Sequence, residues 1–154
     1  MIQVTNVKDY HGSLEEAAEY FSKAWGGGNN KPFYLDAMQN SYRGNNGGIP
    51  RFYIMLDNNQ IIGCYALIIN DFISRHDLYP WLAAVYISKS HRGQALASKL
   101  LAHGVKEAGH CGYDTVYLTT NHDGFYEKYG WIRIEDGYEP GGDLTRIYKI
   151  STNL

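Results

Sequence analysis

The sequence has few cysteines, no long apolar run and no excess of basic charge. Its two cysteines, Cys64 and Cys111, are too few for a metal cluster and lack CxxC spacing, so we expect reduced thiols and no metal site. The longest apolar run, residues 61–69, is far shorter than the roughly 20 residues that a membrane helix needs. A formal net charge of −2 disfavours nucleic acid as a partner.

The start of the chain also lacks a recognisable targeting pattern. Residues 1–6 show no basic stretch followed by an apolar one, as a signal peptide would, so the sequence predicts a cytoplasmic protein. With 154 residues, of which 44% are apolar, the chain is long enough for a single domain over residues 1–154 with a core of its own. That composition disfavours disorder over the whole length.

The hydrophobic pattern alternates between strand and helix periods. Ser13 and Glu16 have capping-box spacing before a helical apolar face, and three glycines at 26–28 end that helix. The order β-α-α-β-β-β-α-β-α-β-β predicts an α/β fold with a mixed sheet of about seven strands flanked by about four helices. The predicted strands are 1–7, 51–56, 61–69, 81–87, 113–119, 131–135 and 143–150, and the predicted helices are 14–25, 32–43, 92–108 and 124–129.

The most informative segment joins the strand 81–87 to the helix that we expect to open at Arg92. Residues 93, 95 and 97 are small, so the backbone amides at this helix start are left unshielded. Such amides, aided by the helix dipole and by Arg92, suit a phosphate group. Neither the dinucleotide fingerprint nor the P-loop is present. Close packing of the helix on the strand is the alternative explanation for the small residues.

Two motifs in this region resemble those of the GNAT family of N-acetyltransferases. The segment Arg92-Gly93-Gln94-Ala95-Leu96-Ala97 is similar to the family signature Q/R-x-x-G-x-G/A, with Ala95 in place of the first glycine. Asn121, followed by Phe-Tyr-Glu-Lys-Tyr-Gly-Trp at 125–131, resembles the later motif of the family. Residues 79–83 and the series Glu135, Tyr138 and Gly141 resemble a common bacterial branch.

The resemblance implies a GNAT-like fold in which the fourth and fifth strands splay apart. It also implies transfer of an acetyl group from acetyl-CoA to a primary amine, with Tyr126 as the acid that protonates the leaving thiolate. The pantetheine arm and diphosphate of coenzyme A would contact these two strands and the signature loop. The residues implied for coenzyme binding are Val85, Ile87, Arg92, Gly93, Gln94, Ala95, Leu96, Ala97, Ser98 and Asn121.

The acceptor site is expected between the first two helices and two loops, residues 71–79 and 136–142. We predict an aromatic wall for the acceptor, formed by Tyr79, Trp81 and Tyr138 with Tyr34, and a set of carboxylates that attract a cation. These carboxylates are Asp77, Glu135, Asp136 and Glu139.

The general base is not identified by the sequence. Trp81 stands where some relatives place a glutamate, so a side chain near the splayed strands or a chain of waters has to take this role. The side-chain candidates are His76, Asp77, His122 and Asp123. Two other classes of protein stay open: a coenzyme A-binding regulator without turnover and an interaction domain without a coenzyme. A homodimer is also left open by the sequence.

Overall fold

The structure is a computed structural model that describes residues 1–44 and 47–153. Seven strands form one sheet in the order β1-β2-β3-β4-β5-β7-β6. All neighbouring pairs are antiparallel except β4 and β5, which are parallel. The strands are β1 (Ile2–Asn6), β2 (Arg51–Asp57), β3 (Gln60–Ile68), β4 (Trp81–Ile87), β5 (Thr115–Thr120), β6 (Ile132–Tyr138) and β7 (Leu144–Ser151). The predicted α/β class and seven-stranded mixed sheet are therefore confirmed.

Within the described residues, three α-helices cover the two faces of the sheet: α1 (Leu14–Trp25), α2 (Lys31–Gln39) and α3 (Leu96–His110). The α1 and α2 helices pack with one face, around Phe21, Met38 and Phe52, and α3 packs with the other. Because successive side chains of a strand point to opposite faces, β2 is buried along almost its whole length and supplies both cores. The fourth predicted helix is a short 3-10 helix, Tyr126–Tyr129.

One of the two hydrogen bonds of the predicted capping box forms at the start of α1. Ser13 Oγ accepts a hydrogen bond from the Glu16 amide at 3.1 Å, as predicted, while the Glu16 carboxylate instead accepts one from Tyr10 Oη at 3.0 Å. The first contact satisfies one of the free amides at the helix start, and α1 then buries Ala17, Ala18 and Phe21.

The prediction that α2 continues to residue 43 is wrong, since the helix ends at Gln39. The Met38 carbonyl, which a further helical turn would have paired with the amide of residue 42, instead accepts from the Ser41 amide at 3.2 Å and from Ser41 Oγ at 2.6 Å. The amide of Tyr42 donates to the Pro50 carbonyl at 3.1 Å. Side-chain and loop contacts therefore replace the last turn.

The parallel pair β4 and β5 separates toward its carboxyl ends. In the part of the chain that the structure describes, their register consists of one pair, Trp81 with Tyr117. Beyond this pair, Val85 and Thr120 lie on opposite sides of an opening rather than in a ladder. This opening confirms the predicted splay, and it positions the candidate site.

Candidate active site

The loop between β4 and α3 carries two left-handed residues. Gly93 has φ of 84° and Ala95 has φ of 58°, and α3 begins after them at Leu96. The prediction that the helix opens at Arg92 is therefore wrong, because a left-handed residue cannot continue a right-handed helix. Ala95 is the N-cap residue and makes no side-chain cap, and the first residues of α3, Leu96 to Ser98, line the neighbouring cavity.

Arg92 fastens this loop to the end of β4. Its Nε donates to the Ile87 carbonyl at 3.0 Å, and its guanidinium lies 5.2 Å from the centre of the Tyr86 ring. Such a contact combines a charge-assisted hydrogen bond with a cation–π interaction. Arg92 therefore positions the loop as well as adding positive charge beside it.

A β-bulge interrupts β4 just before the loop. Cys64 pairs with Tyr86 and Ala66 pairs with Ala83, so Ala84 and Val85 together oppose one residue of β3, and Ala84 adopts a left-handed φ of 57°. The Ala84 carbonyl accepts a hydrogen bond from Trp25 Nε1 at 3.1 Å. This contact fixes the end of α1 against the opening between β4 and β5.

A first cavity, of about 730 Å³, lies between the loop, β4 and the 3-10 helix. At Gly93 an added Cβ would meet nothing within 4 Å, so the space over the loop is open. Gln94 is exposed and Asn121 lines the neighbouring cavity instead. The other eight residues implied for coenzyme binding line this first cavity: Val85, Ile87, Arg92, Gly93, Ala95, Leu96, Ala97 and Ser98.

A second cavity, of about 850 Å³, lies on the side of the sheet opening that faces α2. It meets the first at four residues that line both: Trp25, Val85, His122 and Tyr126. Its polar wall comes from the end of β5, where Thr119, Thr120 and Asn121 line it. The two cavities therefore adjoin at the gap between the splayed strands.

Tyr126 stands where the two cavities meet. It packs against the α3-side core, with its ring 5.8 Å from that of Tyr148 and 6.4 Å from that of Trp131. Burial raises the pKa of Tyr126, and the nearby Thr120 hydroxyl opposes this rise. The phenol therefore stays protonated at neutral pH and can act as a donor.

Comparison with protein families identifies the chain. A family model, described as the acetyltransferase (GNAT) family, matches residues 14–131. The chain belongs to the GNAT family. GNAT enzymes use acetyl-CoA, so this protein is an acetyl-CoA-dependent acetyltransferase. A search of curated proteins gave no match.

Solved GNAT structures share the whole architecture at low sequence identity. An aminoglycoside 6'-N-acetyltransferase complexed with coenzyme A matches with a TM-score of 0.72 at 14% identity, over 99% of this chain and 98% of that one. A GNAT acetyltransferase from Bacillus cereus gives 0.68 at 18% identity, over 98% and 97%. One from Elizabethkingia anophelis with acetyl-CoA bound gives 0.64 at 16% identity, over 97% of each chain.

Coenzyme A fits the first cavity of this GNAT domain. Its diphosphate requires backbone amides and room for close approach, and both are present where Ala95 caps α3 and where Gly93 leaves open space. Its pantetheine arm requires an unpaired strand edge, which β4 provides beyond Trp81. Contact of the implied residues with the coenzyme stays a prediction.

The structure does not bring the predicted aromatic wall of the GNAT acceptor site together. Trp81 is fully buried, with Nε1 donating to the Leu78 carbonyl at 2.7 Å, and it packs in a small core with Ile147. Tyr79 is half exposed and packs on Tyr113. Tyr138 is also half exposed, and neither it nor Tyr79 lines the cavity, whereas Tyr34 does.

Three of the four carboxylates predicted to attract a cation are paired with arginines instead. Arg75 forms ion pairs with Asp77, at 2.8 Å, and with Glu135, and the first pair lowers the pKa of Asp77. Asp136 pairs with Arg133 at 2.9 Å. Glu139 does line the second cavity.

The predicted acceptor boundary, formed by the first two helices with residues 71–79 and 136–142, includes residues of the second cavity that were not singled out, among them Trp25, Phe33, Asp71 and Phe72. Trp25 is the last residue of the first predicted helix, and Phe33, Asp71 and Phe72 belong to no motif. The signal that could have found the aromatic residues is their exposure on the fold, since Phe33, Phe72 and Trp25 are all more than half exposed.

No group of three or more His, Cys, Asp or Glu side chains is placed to hold a metal ion among residues 1–44 and 47–153. Within these same ranges no helix is long and apolar enough to cross a bilayer.

Proposed function

We propose that the protein transfers an acetyl group from acetyl-CoA to a primary amine by direct attack, with Tyr126 as the acid. The observation that carries this proposal is the position of Tyr126, which lines both cavities at the gap between β4 and β5. An acetyl donor in the first cavity and an amine acceptor in the second would meet at this residue.

When bound, acetyl-CoA would supply a thioester carbonyl for attack by an unprotonated amine. As the C–N bond forms and the C–S bond breaks, the nitrogen would lose one proton to water, the thiolate would take the proton of Tyr126, and the phenolate would regain a proton from water. The Tyr126 phenol lies at the end of the first cavity and is placed to donate its proton to a departing thiolate. An ordinary tyrosine already has a higher pKa than a thiol, and burial raises the pKa of Tyr126 further. Because the same burial disfavours a thiolate, it raises the pKa of the thiol as well. The difference between the two pKa values, which makes the proton transfer unfavourable, is therefore kept small.

Backbone groups of this chain hold the coenzyme in the proposal. The first amides of α3, at Leu96, Ala97 and Ser98, bind the diphosphate, and Arg92 adds a charge beside them. The bulge at Ala84 and Val85 interrupts the ladder with β3, and both residues line the second cavity. An amide near Ile87 is the proposed donor to the developing oxyanion.

Substitution of one hydroxyl tests the role of Tyr126. We expect Tyr126→Phe to lower kcat by about a hundredfold or more, the usual range for loss of a general acid, with the Kd of coenzyme A within about twofold of wild type. Tyr113→Phe is the matched control, because Tyr113 lies at the opposite end of β5 and lines neither cavity. Thiol release measures kcat, and calorimetry measures Kd.

Three outcomes would count against the proposal. Full activity in Tyr126→Phe would contradict the tyrosine acid. Tight coenzyme binding without transfer to any amine would favour a regulator without turnover. A melting temperature that acetyl-CoA leaves unchanged would contradict the coenzyme site itself, because a ligand at 100 times its Kd adds about 2.7 kcal/mol of stability.

A further inference from the structure

Asp71 is a half-buried carboxylate in the second cavity. It follows β3, and Oδ2 lies 3.5 Å from Thr119 Oγ1, the limit of a hydrogen bond. In the described residues no lysine or arginine forms an ion pair with it. A carboxylate removed from water without a cation is costly, so Asp71 is suited to receive a cation from a ligand.

The described wall around Asp71 carries a second carboxylate, and a histidine, His122, also lines it. Glu139, on the loop between β6 and β7, lines the same cavity and acts on Asp71 through its charge. The pKa of Asp71 is raised to about 6, mainly by burial and to a smaller extent by the charge of Glu139. None of the described residues that line this cavity is a lysine or an arginine. A ligand carboxylate would therefore find repulsion here, and an ammonium group would find attraction.

Aromatic rings surround the same space. Phe33 and Phe72 are 55% and 62% exposed, their ring centres lie 6.5 Å apart, and both line the cavity. Tyr34 lines it too, and the charge of Asp71 helps to raise the pKa of Tyr34 after burial. Rings beside a carboxylate suit an ammonium group on an alkyl stem, because the rings cover the stem and attract the cation.

Asp71 and Tyr126 approach β5 from opposite faces. Thr119, which contacts Asp71, and Thr120, which contacts Tyr126, are consecutive, so their side chains point to opposite sides of the sheet. An acceptor that reaches the gap beside Tyr126 can therefore extend a second group toward Asp71.

We propose that the acceptor carries at least two ammonium groups and that Asp71, aided by Glu139 and the phenylalanine rings, binds the one that is not acetylated. Asp71 is in this view a specificity-determining residue. The inference rests on the proposed function, since it takes the gap beside Tyr126 as the site of transfer.

Matched acceptors test this inference. Terminal diamines with stems from butane to octane are compared with the alkylamine and the amino acid of equal length, which replace the far ammonium by a methyl or a carboxylate. For the best stem, we expect kcat/KM of the diamine to exceed that of the monoamine by about tenfold, and the amino acid to rank last. Asp71→Asn should lower the diamine to the monoamine level and change the monoamine by less than about threefold.

Two controls separate recognition from folding. Asp114→Asn makes the same charge change at an exposed position that lines neither cavity, and it should keep the diamine preference. Asp71→Asn should melt no lower than wild type at pH 8 and bind coenzyme A equally well. Calorimetric titration of the diamine into the protein with coenzyme A measures the preference independently of turnover.

The results distinguish the two proposals. A diamine preference in binding that Asp71→Asn abolishes supports the inference even if no amine is acetylated, in which case the proposed function fails alone. Equal binding of diamine and monoamine, or a diamine preference that survives Asp71→Asn, overturns the inference and leaves the transferase proposal standing.

Discussion

The two cavities on either side of the β4–β5 gap are lined differently, and in the proposed function they would recognise their ligands by different means. The coenzyme-side cavity would use backbone amides at a strand–loop–helix junction, with Arg92 as a neighbouring charge. The acceptor-side cavity would use side chains, with two carboxylates and exposed aromatic rings. Main-chain recognition depends on local conformation and tolerates many side chains, whereas side-chain recognition changes with each substitution. The first suits a constant donor, and the second suits an acceptor that differs between enzymes.

The largest expected effect comes from placing a negative charge in the coenzyme-side cavity at Ser98. Ser98→Glu places a carboxylate in the first turn of α3, on the wall of the coenzyme-side cavity. At about 5 Å from a phosphate charge and an effective dielectric constant of ~20, the repulsion is about 3 kcal/mol. We therefore expect the Kd of coenzyme A, measured by calorimetry, to rise by about a hundredfold.

Folding should not suffer from this substitution, since an acidic residue in the first turn of a helix is stabilising. Ser98→Gln is the matched control, with the same size and no charge, and it should weaken binding far less. A Ser98→Glu variant that binds coenzyme A normally would show that the diphosphate does not lie at the start of α3.

The same contrast explains how much of the site could be predicted from the sequence. The coenzyme side lies within one contiguous segment, so its motif and the flanking β4 and α3 were found, although the left-handed Ala95 moved the helix start to Leu96. The acceptor side is assembled from α1, α2, the segment after β3, the end of β5 and the β6–β7 loop. No local pattern marks Asp71, and its neighbours are set by the sheet order. Likewise, the arginine partners of Asp77 and Asp136 became visible only in the fold.

The acceptor side should also depend on pH in a way that the coenzyme side does not. The pKa of Asp71 is raised to about 6 by burial and by Glu139, against the opposing hydrogen bond from Thr119, and Tyr34 faces it from α2. The carboxylate is therefore charged above pH 6 and loses its charge as the pH falls. The ratio of kcat/KM for a diamine to that for its monoamine should fall from about tenfold at pH 8 to near unity at pH 5.

Using this ratio cancels the titration of the attacking amine, which both acceptors share. His122 lines the same cavity, so a His122→Gln variant serves to exclude it as the source of the change. The fall should persist in that variant and be absent in Asp71→Asn, where the ratio is low at every pH. A ratio that is constant from pH 5 to pH 8 in the wild type would contradict the role of Asp71.

The smallest expected effect concerns Ala95, where the loop has alanine at a left-handed φ of 58°. Left-handed backbone costs a residue with a Cβ about 1–2 kcal/mol, and glycine avoids this cost but loses more entropy on folding. We expect Ala95→Gly to raise the free energy of unfolding by about 0.5–1 kcal/mol and to tighten coenzyme A binding by about twofold to threefold, because a methyl group no longer borders the amides.

Ala102→Gly is the matched control in the exposed middle of α3, where the same change should destabilise by about 1 kcal/mol. Chemical denaturation measures both variants, and opposite signs for one chemical change would show that backbone conformation decides the outcome. Destabilisation by Ala95→Gly would mean that the loop does not hold residue 95 in the left-handed region.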